Sequence, residues 1–140
     1  MTKVTFHFSV PNKIAYACRL LRKACRQGAR VTVTGLPHDL SSLDEALWTF
    51  DQLEFLPHCD VNAPEMIRAK TNIILTDDAG QSPYSDVLVN LGGALKGFER
   101  YLKLIELVGL DESDRTMARE RWRHYNTRGY LIESYEVGKR

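Results

Sequence analysis

The residues best suited to chemistry lie near the end of the chain, where arginines surround a tryptophan. Between residues 115 and 128 there are five arginines and one acidic residue, Glu120, which is a local excess of +4. At helical spacing, one face of this segment carries Arg115, Arg119, Trp122, Arg123 and Asn126. The planar guanidinium of arginine can hold a carboxylate through two hydrogen bonds, and the tryptophan ring offers a flat apolar surface.

This arginine–tryptophan face suits more than one role. It could bind a short acidic peptide that ends in an aromatic or aliphatic residue. It could also bind single-stranded nucleic acid, with a base stacked on Trp122 and phosphates on the arginines. Charged helix faces are also common as plain solvated surface, so the pattern alone leaves all three interpretations open.

The glycines do not form a recognisable phosphate-binding loop. Gly92 and Gly97 have the separation that such a loop requires, but Phe98 and Glu99 stand where its lysine and hydroxyl residue should be. A dinucleotide-binding fingerprint is also missing, because residues 11–13 after the first predicted strand contain no glycine. A nucleotide-dependent enzyme is therefore disfavoured, and we predict no cofactor and no catalysis.

Cys59 lies between His58 and Asp60, and all three are residue types that bind metals. Neighbouring side chains point in different directions, and the sequence offers no second pair of ligands. Nothing in the sequence places a base beside Cys59 that would activate it as a nucleophile. We therefore predict an ordinary loop here and no metal site.

The composition is that of one globular domain, which we assign to residues 1–140. The 19 basic and 18 acidic residues give a net charge of +1, which argues against binding nucleic acid through the overall field. Three cysteines form the sparse, odd-numbered set typical of a reducing cytoplasm. No apolar run approaches the about 18 residues of a membrane span, and the N-terminus alternates like a strand rather than a signal peptide. We expect a cytoplasmic protein that does not enter a membrane.

Periodicity and breakers predict a chain of alternating strands and helices. The predicted strands are Val4–Val10, Arg30–Thr34, Thr71–Thr76, Asp86–Leu91, Lys103–Val108 and Tyr130–Val137. The predicted helices are Lys13–Gln27, 42–50 with a capping box from Ser42 to Glu45, a short one at Ala94–Tyr101, and Asp111–Arg128. Residues 53–64 are predicted to form an extended loop.

This order predicts an α/β fold, a three-layer α/β/α sandwich. The first strand, helix and second strand form a βαβ unit, which implies a parallel pair with a right-handed crossover. On the last helix, the side expected to include the contact with the sheet carries Met117, Ala118, Arg121 and Tyr125.

Two aromatic residues form a second candidate surface. Trp48 falls off the main apolar stripe of its predicted helix, and Phe55 follows in an apolar loop. Both could belong to the core, which is the default for aromatic residues. Both could also be anchors at a hydrophobic interface.

Four segments of the chain, in order, resemble the chi subunit family of bacterial DNA polymerase III. They are Ala17-Cys18-Arg19-Leu20 with Gly28-Ala29-Arg30-Val31, Leu43-Asp44-Glu45-Ala46-Leu47-Trp48, Phe55-Leu56-Pro57-His58, and Ala118-Arg119-Glu120-Arg121-Trp122 with Tyr125 and Gly129-Tyr130. The resemblance implies a Rossmann-like fold with a mostly parallel or mixed sheet, and a non-catalytic adaptor of the clamp-loader assembly. It also implies two partners, which are the acidic C-terminal tail of single-stranded DNA-binding protein and a psi subunit, so DNA would be contacted only indirectly.

The resemblance also implies which residues bind each partner. The tail site would comprise Arg119, Trp122, Arg115, Arg123 and Val108. Arg119 would grip the terminal carboxylate of the tail, while Val108 and Trp122 would receive its last apolar side chain. The psi-facing surface would include Trp48 and Phe55.

The sequence departs from the family at two places. Residue 122 is tryptophan where the resemblance implies tyrosine or phenylalanine, a change expected to keep stacking while allowing a different pocket shape. Residues 59–62 replace an expected glycine-rich loop, so no family role is transferred to that segment.

Overall fold

The computed structural model describes residues 2–49, 58–64, 71–92 and 97–137. Seven strands lie in these ranges: β1 (Lys3–Val10), β2 (Val31–Thr34), β3 (His58–Asp60), β4 (Ile73–Leu75), β5 (Val87–Asn90), β6 (Lys103–Gly109) and β7 (Ile132–Glu136). Three α-helices lie in them as well: α1 (Lys13–Arg26), α2 (Pro37–Thr49) and α3 (Glu112–Thr127). Short 3-10 turns are formed by Ala79–Gln81 and Phe98–Arg100.

The seven strands form one sheet in which every neighbouring pair is parallel. Their order is β3-β4-β2-β5-β6-β1-β7. The predicted parallel α/β fold is confirmed. The expectation that β1 and β2 pair with each other is wrong, because β5 and β6 lie between them. Local sequence identifies a strand–helix–strand unit but not the later strands that insert between its two strands.

Helices cover both faces of the sheet, as the three-layer prediction requires. On one face α1 and α2 pack over alternate residues of the central strands, with Ala17, Leu21, Leu43, Leu47, Val33, Val89 and Leu107 in one buried cluster. On the other face α3 packs through Ala118 and Tyr125 against a second cluster that includes Val4, Phe6, Leu88, Leu104 and Val108. Successive strand residues point to opposite faces, so residues 104, 106 and 108 of β6 all face α3.

The ends of α1 follow from local chemistry. The Asn12 side chain caps its N-terminus by accepting a hydrogen bond from the Ala15 amide at 3.1 Å. Just beyond its C-terminus, Gly28 has φ of +80°, a left-handed conformation that favours glycine.

Two predicted boundaries were wrong. Helix α2 begins at Pro37 and not at Ser42, because proline fits the first helical position, where no N–H is needed. His58–Asp60 forms an edge strand paired with β4, and not part of a loop. A three-residue strand is too short to show alternation in the sequence.

The predicted short helix Ala94–Tyr101 is described only in part. Its residues 98–100 form a 3-10 turn, while residues 94–96 lie outside the described ranges. The predicted loop segment 53–57 and the last residue of the second predicted helix, residue 50, lie outside them as well.

Candidate functional site

The start of α3 is fixed to the sheet by Asp114. Its carboxylate accepts a hydrogen bond from the Gly109 amide at 2.7 Å, where β6 ends. The same oxygen lies 3.0 Å from Nζ of Lys13, the first residue of α1. Both side chains are largely buried, so the pair links the two helices that leave the carboxyl ends of the neighbouring strands β1 and β6.

The rotation of α3 about its axis is fixed by a buried polar network around Glu106. The Glu106 carboxylate accepts hydrogen bonds from Nε of Arg121 at 3.0 and 3.1 Å, from the Tyr125 hydroxyl at 2.6 Å and from the Asn90 amide at 2.9 Å. The prediction that Arg121 and Tyr125 face the sheet is confirmed. Met117, predicted on the same side, is partly exposed.

Burial controls the protonation of this network. Complete burial raises the pKa of the Glu106 carboxyl, and the neighbouring Arg121 guanidinium opposes that shift. Burial and the charge of Glu106 raise the pKa of Tyr125, so its phenol remains a hydrogen-bond donor. With Arg121 and Tyr125 held against the sheet, Arg119 and Trp122 are directed away from Glu106 along another face of the helix.

A cleft of about 210 Å³ lies between α3 and the carboxyl ends of β1, β6 and β7. It is lined by Phe6, Phe8, Ser9, Val108, Arg115, Ala118, Arg119, Trp122 and Ser134. The lining residues Phe6, Val108 and Ala118 are buried and form an apolar floor. Trp122 is 40% exposed and lines the wall beside the two arginines. The cleft therefore joins an apolar pocket to a cationic rim.

Strand β1 is irregular beside this cleft. Ser9 has φ of +57°, which is uncommon for a residue other than glycine. The register between β1 and β6 breaks between His7 and Val10 at the same place. Such irregularities cluster at functional sites, and this one leaves Ser9 on the cleft wall.

The two rim arginines share one acidic neighbour. Oε1 of Glu112 lies 3.4 Å from Nη2 of Arg119, and its Oε2 lies 3.8 Å from Nη1 of Arg115. All three side chains are more than half exposed, so these contacts are weak.

Four of the five residues predicted for the tail site line this cleft, namely Val108, Arg115, Arg119 and Trp122. Arg123 is exposed and does not line it. The prediction missed Phe6, Phe8, Ser9 and Ser134, which come from other strands. Alternation along β1 puts Phe6 and Phe8 on one face, but nothing in the sequence shows that α3 covers that face.

The second predicted surface lies at the other edge of the sheet. Trp48, near the end of α2, is 59% exposed and packs edge-to-face on His58 with ring centres 5.1 Å apart. The His58 ring in turn lies 3.0 Å from the Asp44 carboxylate. His58 belongs to β3, the edge strand opposite β7. Phe55 lies outside the described residues.

Within the described ranges, side chains do not gather into a group of three or more metal-binding residues. His58 contacts Asp44, whereas Sγ of Cys59 lies 3.6 Å from the hydroxyl of Thr71. The side chains of His58 and Cys59 therefore contact different neighbours.

The crevice where open α/β sheets usually hold ligands contains a carboxylate of the chain itself. That crevice lies at the carboxyl ends of β1 and β6, whose following helices go to opposite faces. Asp114 and Lys13 line it, and they pair with each other there. Because the Asp114 carboxylate already pairs with Lys13, a phosphate in this position could bind that lysine only by breaking the pair. Gly97 was considered in the sequence for its spacing from Gly92. In the structure Gly97 has φ of +72°, and a Cβ atom added to it would lie 2.9 Å from the backbone of Gly80.

None of the helices within the described ranges is long and apolar enough to cross a membrane. The chain has a doubly wound parallel α/β fold, and the cationic rim and apolar floor of its cleft have the chemistry to suit a carboxylate beside an apolar group.

Comparison with known proteins identifies the family. The model of the family described as DNA polymerase III chi subunit, HolC, matches residues 1–133. The chain is 31% identical over 144 residues to DNA polymerase III subunit chi of Pseudomonas aeruginosa, with 98% of each chain covered. It is 27% identical over 125 residues to the same subunit of Haemophilus influenzae, with 87% of this chain and 85% of the relative covered. The chain therefore belongs to the DNA polymerase III chi subunit family, whose members are accessory, non-catalytic subunits of the replication machinery.

Proposed function

We propose that this chi-family protein is a cytoplasmic adaptor that binds the acidic C-terminal tail of single-stranded DNA-binding protein. Through a psi-type subunit it would link that tail to the clamp-loader assembly. The observation that carries the proposal is the cleft itself, in which Arg115, Arg119 and Trp122 line an opening above a buried apolar floor.

Each part of the cleft matches one part of such a tail. Arg119 presents a guanidinium fork that can hold the terminal carboxylate, with Arg115 one helical turn away as a second cation. Val108 and Trp122 offer the apolar surface that the last side chain of the tail needs. A cleft of about 210 Å³ is sized for one such side chain rather than for a run of residues.

The alternative is that the same helix binds single-stranded nucleic acid directly. Such sites combine a long cationic groove with several stacking platforms. Here one tryptophan stands beside a small cleft, and the net charge of the whole chain is only +1. These features favour the peptide tail, with DNA contacted indirectly.

The psi-type partner would bind around Trp48. A tryptophan that is 59% exposed and packs edge-to-face on His58 is a suitable interface anchor. Because β3 and β7 are opposite edges of the sheet, both partners could bind at once.

The test of the tail site is a calorimetric titration with a peptide that ends in acidic residues and a C-terminal Phe. Arg119→Ala should weaken binding by about 10- to 150-fold, because a charge-assisted hydrogen bond contributes about 1.5–3 kcal/mol. Arg128→Ala removes the same charge at the far end of α3 and should leave affinity within about threefold. Equal affinities for wild type and Arg119→Ala would refute the proposed site.

The test of the second surface is co-purification with a psi-type subunit expressed together with the chain. Trp48→Ala should lose that subunit while still binding the acidic peptide. Retention of the subunit by the variant would exclude Trp48 as an anchor.

A further inference from the structure

The cationic rim of the cleft is already contacted by a carboxylate of the chain. Glu112 is the first residue of α3, so Arg115 and Arg119 follow it by three and seven positions on the same side of the helix. Its two oxygens are divided between them, at 3.8 Å from Arg115 and 3.4 Å from Arg119. A single carboxylate thus spans the two guanidinium groups that the tail would need.

The other two acidic residues within α3 behave differently. Asp114 is committed to Lys13 and to the Gly109 amide. Glu120 is exposed and makes no ion pair within the part of the chain that the structure describes. Glu112 is therefore the acidic residue whose position overlaps the ligand position at the rim.

We infer that Glu112 is an internal competitor that lowers the affinity of the cleft for the terminal carboxylate of a ligand. This inference rests on the proposed binding of an acidic tail. A ligand with a free terminal carboxylate displaces the Glu112 carboxylate from Arg119 and Arg115. The Glu112 side chain then rotates into solvent. A ligand without that group leaves Glu112 in place, so Glu112 lowers the affinity of chain ends with a free carboxylate and not that of ligands without one.

The contacts are of the strength that reversible competition requires. The side chain of Glu112 is 71% exposed, and exposed ion pairs are weak and easily exchanged. Loss of two such pairs on binding corresponds to about 2- to 10-fold in affinity. Without Glu112 the arginines would lack this neighbour, and the terminal carboxylate of a ligand would bind them without displacing another.

The experiment combines one substitution with one change in the ligand. Wild type, Glu112→Gln and Glu120→Gln are each titrated with an acidic peptide that ends in Phe, once with a free terminal carboxylate and once as the C-terminal amide. Glutamine retains the size and helical position of Glu112 while removing its charge. Glu120→Gln removes the same charge from the same helix without touching the rim.

The expected result is a gain of about 2- to 10-fold for Glu112→Gln with the free carboxylate and almost no gain with the amide. Glu120→Gln should match wild type within about twofold for both peptides. Circular dichroism of each variant confirms that α3 is retained, because Glu112 also lies in the helix's first turn.

Two results would overturn the inference while leaving the tail site in place. One is unchanged affinity of Glu112→Gln for the free carboxylate. The other is an equal gain for both peptides, which would mean that only the general field had changed. Failure of wild type to bind either peptide would refute both the proposed function and this inference.

Discussion

Trp122 combines two properties that a binding residue needs. Its ring lines the apolar cleft, yet two-fifths of its surface remains open to solvent. Burying that exposed surface under a ligand side chain is favourable, since apolar area removed from water contributes about 25 cal/mol per Å². In the proposed complex the neighbouring arginines would orient the ligand through its carboxylate. The proposed site therefore has an apolar part, formed by Trp122, and a charged part, formed by Arg115 and Arg119.

Substitution of Trp122 tests the apolar part of this division. Trp122→Ala should weaken binding of an acidic peptide ending in Phe by about 5- to 30-fold, from loss of about 1–2 kcal/mol of apolar contact. Trp122→Phe keeps a flat ring and should remain within about threefold of wild type. Fluorescence anisotropy with a labelled peptide measures both. An alanine variant that binds like wild type would contradict the role of the ring.

The residues of the site were predictable to different degrees. Helical spacing alone brought Arg115, Arg119 and Trp122 together, because a period of 3.6 is a local property. Val108 entered only through the family resemblance. Ser9 and Ser134 were missed, since their place on the cleft wall depends on how distant strands are ordered in the sheet.

The orientation of the proposed binding face of α3 follows from polar contacts between the helix and the sheet. Arg121 is largely buried and lies against the completely buried Glu106, which also binds Tyr125 and Asn90. A buried acid needs such partners, since its desolvation is costly. These hydrogen bonds restrict the rotation of α3 about its axis. They therefore determine the direction of Arg119 and Trp122, although neither residue touches Glu106.

Removing the buried carboxylate should therefore cost much of the stability. Glu106→Gln leaves the guanidinium of Arg121 without its counter-charge, and we expect the free energy of unfolding to fall by about 3–5 kcal/mol. Urea denaturation followed by circular dichroism measures the change. The exposed Glu120→Gln serves as the control, with an expected change within about 0.5 kcal/mol.

A second substitution separates charge from packing. In Glu106→Gln with Arg121→Met the unpaired cation is gone, so the double variant should be more stable than Glu106→Gln alone. A loss below about 1 kcal/mol for Glu106→Gln would show that the network does not hold α3.

One feature of the sequence pointed to this network: a charged residue stands at a position of β6 where the alternation predicts an apolar one. Glu106 alternates in phase with Leu104 and Val108, which places a carboxylate on an apolar face. Its partner Asn90 could not be identified, because β5 becomes a neighbour of β6 only in the folded sheet. The same limit explains why the βαβ pattern predicted a parallel sheet correctly but paired β1 with β2 wrongly.

Across the whole molecule, the two candidate surfaces lie at opposite edges of one parallel sheet. The cleft uses the carboxyl ends of β1, β6 and β7, while Trp48 packs on β3 at the other edge. Between them the ligand crevice usual for this fold contains the paired Asp114 and Lys13. Under the proposed function the fold would serve as a spacer between the two candidate surfaces, which agrees with an accessory subunit in the chi family.

The two tryptophans of the chain provide one direct measurement, because one lies at each proposed surface. With indole groups labelled by ¹⁵N, titration with an acidic peptide ending in Phe should shift the signal of Trp122 and leave that of Trp48 unchanged. An oligothymidylate at the same concentration should move neither signal. Movement of Trp48 alone, or of neither signal at saturating peptide, would contradict the assignment of the cleft as the tail-binding site.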